Sequence, residues 1–170
     1  MHQLPSPEQL IARLADQIAP TLGPDLALVG IHTGGVWVMD ALAERLGREI
    51  GKNLPRGVLD ISFYRDDFSR IGLHPQVKPS DIPFDMEDRR ILLIDDVLHT
   101  GRTIRAAMNI LFDYGRPASI RLAVLLDRGG REMPICADFV GANLELAEHE
   151  NIALTRADDG ALGFKVNDRA

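Results

Sequence analysis

The chain has 170 residues, 45% apolar and 26% charged, with a formal net charge of −6. This is the size of one globular domain, 1–170, with a substantial core, and its charge gives no general attraction to nucleic acid, although a local basic patch stays possible. No apolar run approaches the roughly 20 residues of a bilayer span, and the N-terminus lacks a signal-peptide pattern. A single cysteine, Cys136, excludes an internal disulfide. The expectation is a soluble, cytoplasmic protein with no membrane partner and with Cys136 as a buried, inert thiol.

From Pro7 to about Ala19, Leu10, Ile11, Leu14 and Ile18 recur at spacings of three and four, which predicts an amphipathic helix capped by Ser6-Pro7 and stopped by Pro20. Leu26 to Ile31 is a short, unalternating apolar run, as in a strand covered on both faces. It leads through His32-Thr33-Gly34-Gly35 into a helical stripe, Val38, Leu42 and Leu46, that ends before Gly47. Val58 to Tyr64 predicts another strand. The polar segment from Arg65 to about Pro83 contains three prolines and is longer than an ordinary connection, so it is either functional or disordered.

Ile91 to Ile94 predicts a buried strand, followed by a helix after Gly101 with Ile104, Met108, Leu111 and Phe112 on its apolar side. Ile120 to Leu126 predicts a further strand. In the tail, Ile152-Ala153-Leu154 and Leu162-Gly163-Phe164 flank Asp158-Asp159-Gly160, a turn signal between short strands. Strands alternating with helices predict an α/β fold, a mostly parallel sheet flanked by helices.

The densest signal is Asp95-Asp96-Val97-Leu98-His99-Thr100-Gly101-Arg102-Thr103, directly after the buried strand. In parallel sheets, ligands sit beyond the carboxyl ends of the strands. A tight glycine turn leading into a helix offers several backbone N–H donors to one anion, and Thr100 and Thr103 add hydroxyls, which suits a phosphate monoester. The paired acids would repel that phosphate face to face, so sugar hydroxyls or a cation suit them better. The spacing is neither a Walker motif nor a dinucleotide fingerprint. A solvated acidic turn before a capped helix is the plainer alternative.

This segment resembles the signature with which phosphoribosyltransferases of the type I fold bind phosphoribosyl pyrophosphate (PRPP). The resemblance extends to Asp60-Ile61-Ser62-Phe63-Tyr64-Arg65-Asp66-Asp67, to Tyr114 through Ile120, and to Leu125-Leu126-Asp127-Arg128-Gly129 with Glu132-Met133-Pro134-Ile135. These are similar to the PyrR family of pyrimidine-operon regulators and uracil phosphoribosyltransferases, over about residues 26 to 143. The resemblance implies a type I fold with a small hood and a flexible loop. The implied reaction converts uracil and PRPP to uridine monophosphate (UMP) and pyrophosphate, with Mg²⁺ held mainly by substrate oxygens and water.

Asp95 and Asp96 would then hold the ribose hydroxyls and stabilise positive charge on the sugar, while the turn through Val97, Leu98, His99, Thr100, Gly101, Arg102 and Thr103 binds the PRPP 5′-phosphate end. Thr33, Gly34 and Gly35 take the pyrophosphate, with Tyr64 and Arg65 on the catalytic loop and Arg65 acting on the leaving group. Uracil would lie between Val97, Leu98 and a hood near Ile152. Asp127 is either a water-mediated magnesium residue or a capping or ion-pairing acid. Trp37 fits core or interface, and His32, His74, His99 and His149 have no metal-ligand spacing.

The family also implies a homodimer or higher assembly and, in its regulatory members, RNA binding in response to uridine nucleotides. Here the basic face is depleted. Arg128 and Arg131 remain, but Cys136 and Ala142 stand at positions basic in the family, Gly34 stands where regulators often have arginine, and the first helix balances Arg13 with Glu8 and Asp16. The enzyme is the favoured reading, with an RNA-binding attenuator or a transferase for another base as alternatives.

Overall fold

The computed structural model describes residues 4–62 and 80–168. The expected catalytic-loop residues Tyr64 and Arg65, most of the polar segment around them and His74 lie outside that range.

Helix α1 spans Pro7–Ile18 and opens with a capping box: Ser6 Oγ accepts from the Gln9 N–H at 3.3 Å, and Gln9 Oε1 accepts from the Ser6 N–H at 3.0 Å. Such a cap contributes about 1 kcal/mol. Pro20 lies within a 3₁₀ turn, Ala19–Thr21, that finishes the helix. Strand β1 is Leu26–Ile31. Helix α2, Gly34–Ile50, starts at the glycine pair itself and runs through Gly47 to Gly51, which adopts the left-handed conformation at φ 62°. The stop predicted at Gly47 is therefore one turn early, because a single glycine inside a well-packed helix costs only about 1 kcal/mol.

Strand β2 is Arg56–Leu59, shorter and earlier than the predicted Val58 to Tyr64. Strand β3, Arg90–Leu98, outlasts its prediction: Asp95 to Leu98 are strand, with Asp95, Val97 and Leu98 paired to β4. Helix α3, Arg102–Asp113, and strand β4, Ser119–Asp127, follow. Strand β5, Phe139–Asn143, was not predicted, and β6, Glu150–Arg156, with β7, Leu162–Asp168, form the hairpin expected in the tail.

The main sheet has the order β2-β1-β3-β4-β5, and every neighbouring pair is parallel. Covering on both faces explains the unbroken apolar runs. On one face α1, α2 and the hairpin pack over Leu28, Leu92, Ile94 and Leu125. On the other, Ile104, Ala107, Ile110 and Leu111 of α3 pack over Val29, Leu93, Leu122 and Val124. Each large aliphatic side chain fully buried there contributes about 1.5–3 kcal/mol.

Two burial expectations are overturned. Phe112 is 58% exposed, because Ile110 and Leu111 turn inward in its place and it falls outside the buried arc. Cys136 is exposed, since it lies on the loop between β4 and β5 rather than in a strand. Trp37 packs partly buried against the core, with the Arg156 guanidinium 5.1 Å from its ring centroid. Among the described residues no helix is long and apolar enough to cross a membrane.

Candidate active site

The strand order reverses direction between β1 and β3. From β1 the chain passes through α2 outward to β2, and from β3 through α3 to β4 on the opposite side. A crevice opens at the carboxyl ends of two such strands, the general place for ligands in open parallel sheets. The β1 ladder on β3 ends at Gly30 opposite Ile94, so Asp95 to Leu98 project past the end of that ladder while Asp95, Val97 and Leu98 still pair with β4. Into that notch comes the start of α2.

The fit is tight. A methyl group at Gly34 would lie 2.2 Å from Asp96 Oδ2 and 2.9 Å from Asp96 Cβ, and one at Gly35 would lie 2.5 Å from the Ile94 carbonyl oxygen. Only residues without a Cβ bring the backbone this close. Gly30 extends the contact, because a Cβ there would meet the Gly35 oxygen and Val36 Cα at 2.9 Å. Sequence reading missed Gly30, which looks in isolation like any small residue in a strand. Thr33 precedes the helix with no side-chain cap, so the first N–H groups of α2 have no hydroxyl partner from it. The His32–Thr33 peptide is cis.

Asp95 is only 6% exposed, and its Oδ1 accepts from the Asp96 N–H at 2.9 Å. Asp96 is less buried, and its Oδ1 accepts from the Val97 N–H at 2.9 Å. The second α2-like feature is the turn before α3. Gly101 sits at φ 90°, where a side chain would be strained, and a Cβ there would lie 3.0 Å from Ile135 and 3.2 Å from Met133. The Arg102 N–H donates to Thr100 Oγ1 at 3.2 Å, and Arg102 Nε donates to Glu132 at 2.6 Å. The amino end of α2, carrying partial positive charge, thus meets Asp96, and that of α3 follows β3 after a three-residue turn.

Thr33, Gly34, Gly35, Asp95, Asp96 and His99 to Thr103 are therefore assembled at the carboxyl ends of β1 and β3. Val97 and Ile152 belong to the same apolar cluster, next to the hairpin. Leu98 does not join them: its side chain is 1% exposed and packs in the cluster on the other face, so only its backbone can face a ligand. Asp127, at the end of β4, is ion-paired. Its Oδ2 accepts from Arg131 Nη2 at 2.5 Å and its Oδ1 from the Gly129 N–H at 2.9 Å. Burial pushes its carboxyl up, but the Arg131 hydrogen bond, the Gly129 N–H and the Arg131 charge outweigh that and hold it below the ordinary aspartate range. No cluster of three or more His, Cys, Asp or Glu suited to a metal occurs among the described residues.

A family model described as "Phosphoribosyl transferase domain" matches residues 1–155. A "Bifunctional protein PyrR" of Nitrosococcus oceani is 58% identical over 132 residues, 78% of this chain and 73% of that protein. Another of that name, from Pseudomonas fluorescens, is 54% identical over 156 residues, 89% of this chain and 90% of that protein. The chain belongs to the PyrR family. Solved structures place this PyrR-family fold among the type I phosphoribosyltransferases. A hypoxanthine phosphoribosyltransferase from Staphylococcus aureus is similar with a TM-score of 0.63 at 25% identity, covering 85% of this chain and 76% of that one. One from Trypanosoma cruzi has a TM-score of 0.64 at 26% identity, covering 85% and 78%. The PyrR-family chain is a phosphoribosyltransferase, built among its described residues on five parallel strands.

Proposed function

We propose that the chain transfers the phosphoribosyl group of PRPP to uracil, forming UMP and pyrophosphate. The observation that carries this reading is the packing of the Gly34-Gly35 start of α2 against the Asp95-Asp96 pair. A helix amino end beside two carboxylates at the strand ends supports an anion site next to a sugar site. In this reading a uracil ring nitrogen attacks the anomeric carbon as its bond to pyrophosphate breaks. Asp95 and Asp96 accept hydrogen bonds from the ribose 2′- and 3′-hydroxyls, and their negative charge stabilises the oxocarbenium-like sugar. The turn from His99 to Thr103 binds the 5′-phosphate through N–H groups and hydroxyls. Thr33, Gly34 and Gly35 hold the pyrophosphate, and Arg65 with Tyr64 completes that end.

Mg²⁺ fits this site as an ion brought by the substrate. Asp96 Oδ2 lies at the crevice beside Gly34, and two neighbouring carboxylates with no protein cage suit an ion that keeps most of its water. Bound there, it would neutralise the leaving pyrophosphate. Ile152 and Val97 offer an apolar wall for the base, with the Leu98 backbone beside it. Asp127, already paired to Arg131, reaches the ion only through water.

The second activity carried by the word "bifunctional" is weaker here. Arg128 donates to the Glu150 carbonyl at 3.0 Å and to Asn151 at 2.9 Å, and Arg131 donates inward three times. The two arginines the resemblance leaves for RNA are thus committed to the fold. Incubation with PRPP, Mg²⁺ and a panel of bases tests the enzyme: UMP from uracil is expected, and product from a different base alone would overturn uracil as acceptor. A salt-dependent shift assay tests RNA, where tight, sequence-specific binding at physiological salt would restore the regulatory role. The family resemblance also carries a dimer or larger assembly in a reducing cytoplasm, and light scattering checks the assembly.

A further inference from the structure

Arg131 sends its guanidinium into the back of the turn that precedes α3. Its Nη1 donates to the His99 carbonyl at 2.8 Å, its Nε to the Ile135 carbonyl at 2.9 Å, and its Nη2 to Asp127 Oδ2 at 2.5 Å. The backbone next to it continues the brace. The N–H groups of Glu132 and Met133 both donate to the Thr100 carbonyl at 2.9 Å, and the Met133 and Ile135 side chains fill the space beside Gly101.

In a planar trans peptide the C=O and the following N–H point in opposite directions. Drawing the His99 carbonyl backward onto Arg131 therefore turns the Thr100 N–H forward, and drawing the Thr100 carbonyl onto Glu132 and Met133 does the same for the Gly101 N–H. In the reading above, forward is the side that receives the phosphate. An anion there needs N–H groups and is repelled by carbonyl oxygens, so the orientation of these two peptides decides whether the turn attracts or rejects phosphate. Asp127 fixes Arg131 in turn, since its charge holds the guanidinium at the end of β4.

We infer that Arg131, aligned by Asp127, is a positioning residue that orients the Thr100 amide toward the 5′-phosphate, beside the Gly101 amide set by Glu132 and Met133, rather than a cation presented to RNA. This rests on the reading of His99 to Thr103 as the 5′-phosphate turn. Its signature is selective: affinity for the phosphorylated substrate depends on Arg131, and the acceptor base and the chemical step do not.

The test compares wild type with Arg131→Gln, Arg131→Lys, Asp127→Asn and the Arg131→Gln/Asp127→Asn double variant. PRPP affinity with Mg²⁺ is measured by calorimetry, and KM and kcat by UMP formation. Arg131→Gln is expected to raise both Kd and KM for PRPP about tenfold, the loss of one charge-assisted hydrogen bond, with kcat and the uracil KM near wild type. The Lys variant should fall between, and keeps the test valid if the Gln variant unfolds. The double variant should bind PRPP no more weakly than Arg131→Gln alone, because the two act as one unit. An unchanged PRPP Kd overturns the inference, as does a drop in which kcat, both KM values and Tm move together. So does RNA binding that is weakened by Arg131→Gln while PRPP binding is not. If wild type makes no UMP from uracil, the acceptor reading fails while the PRPP Kd still decides the role of Arg131; wild type that binds no PRPP overturns both.

Discussion

Gly34 and Asp96 share one small volume: the place a Cβ would take at 34 is 2.2 Å from Asp96 Oδ2, 2.5 Å from its Cγ and 2.9 Å from its Cβ. The carboxylate cannot simply swing aside, since the overlap reaches its Cβ and its Oδ1 is tied to the Val97 N–H. Gly34→Ala is therefore expected to displace the acid by several tenths of an ångström or more. Turnover should fall by roughly ten- to a hundredfold, as small misplacements at a reacting centre do, and overpacking should cost about 1–3 kcal/mol. Steady-state kinetics and urea denaturation check both; full activity would show that Asp96 does not need its present place.

Asp96→Asn separates charge from shape. An amide oxygen can still accept from the Val97 N–H and an amide can still meet a ribose hydroxyl, but it offers no negative charge to a developing cation. The expected result is a fall in kcat of about 10²–10³-fold with an unaltered thermal midpoint. Unchanged turnover would make the pair structural.

Much of this arrangement was legible in the sequence because it rests on local chemistry. The acids, the threonines and Gly101 lie within nine consecutive residues, and the periodicities of α1 and α3 pointed to their buried faces. Beside Gly30 and β5, two further features were not legible. The extension of β3 through Leu98 depends on a partner strand, since Asp-Asp has little strand tendency by itself and is held there by the β4 ladder. The role of Arg131 depends on carbonyls 32 residues upstream and 4 downstream, and no spacing rule marks an arginine that bonds to backbone. Phe112 misled for a related reason: its position is set by a helical arc whose edge the neighbours Ile110 and Leu111 decide.

Gly101 allows a controlled comparison. At φ 90° any side chain is strained, and here Ile135 and Met133 also crowd it, whereas Gly160 has φ 89° with nothing within 4 Å of the Cβ position. Gly160→Ala should cost the backbone penalty of about 1–2 kcal/mol alone. Gly101→Ala should cost more and should raise the KM for PRPP, because the turn must move. Equal losses of stability, with PRPP binding intact, would show that the turn tolerates the crowding.

The ion pair at the end of β4 sets an acid limit. Because the Asp127 carboxyl is held below its ordinary range, the folded chain binds that proton less readily than the unfolded chain. The resulting stabilisation is complete above the unfolded value, near pH 4, and is lost as pH falls through the lower folded value. Urea midpoints of wild type should therefore decline more steeply below about pH 4 than those of Asp127→Asn. Parallel declines would mean that the pair contributes nothing.

Among the described residues the β6–β7 hairpin forms its own two-stranded sheet and shares no ladder with the five parallel strands; it packs on the core through side chains such as Ile152 and Leu154. On the proposed reading, sugar and phosphate handling and acceptor choice are carried by separately constructed parts. The same reading lets a lineage exchange the hairpin, and with it the ring that is accepted, without rebuilding the strands that carry the acids. Grafting experiments between relatives with different acceptors have a natural seam there, between the end of β5 and Glu150.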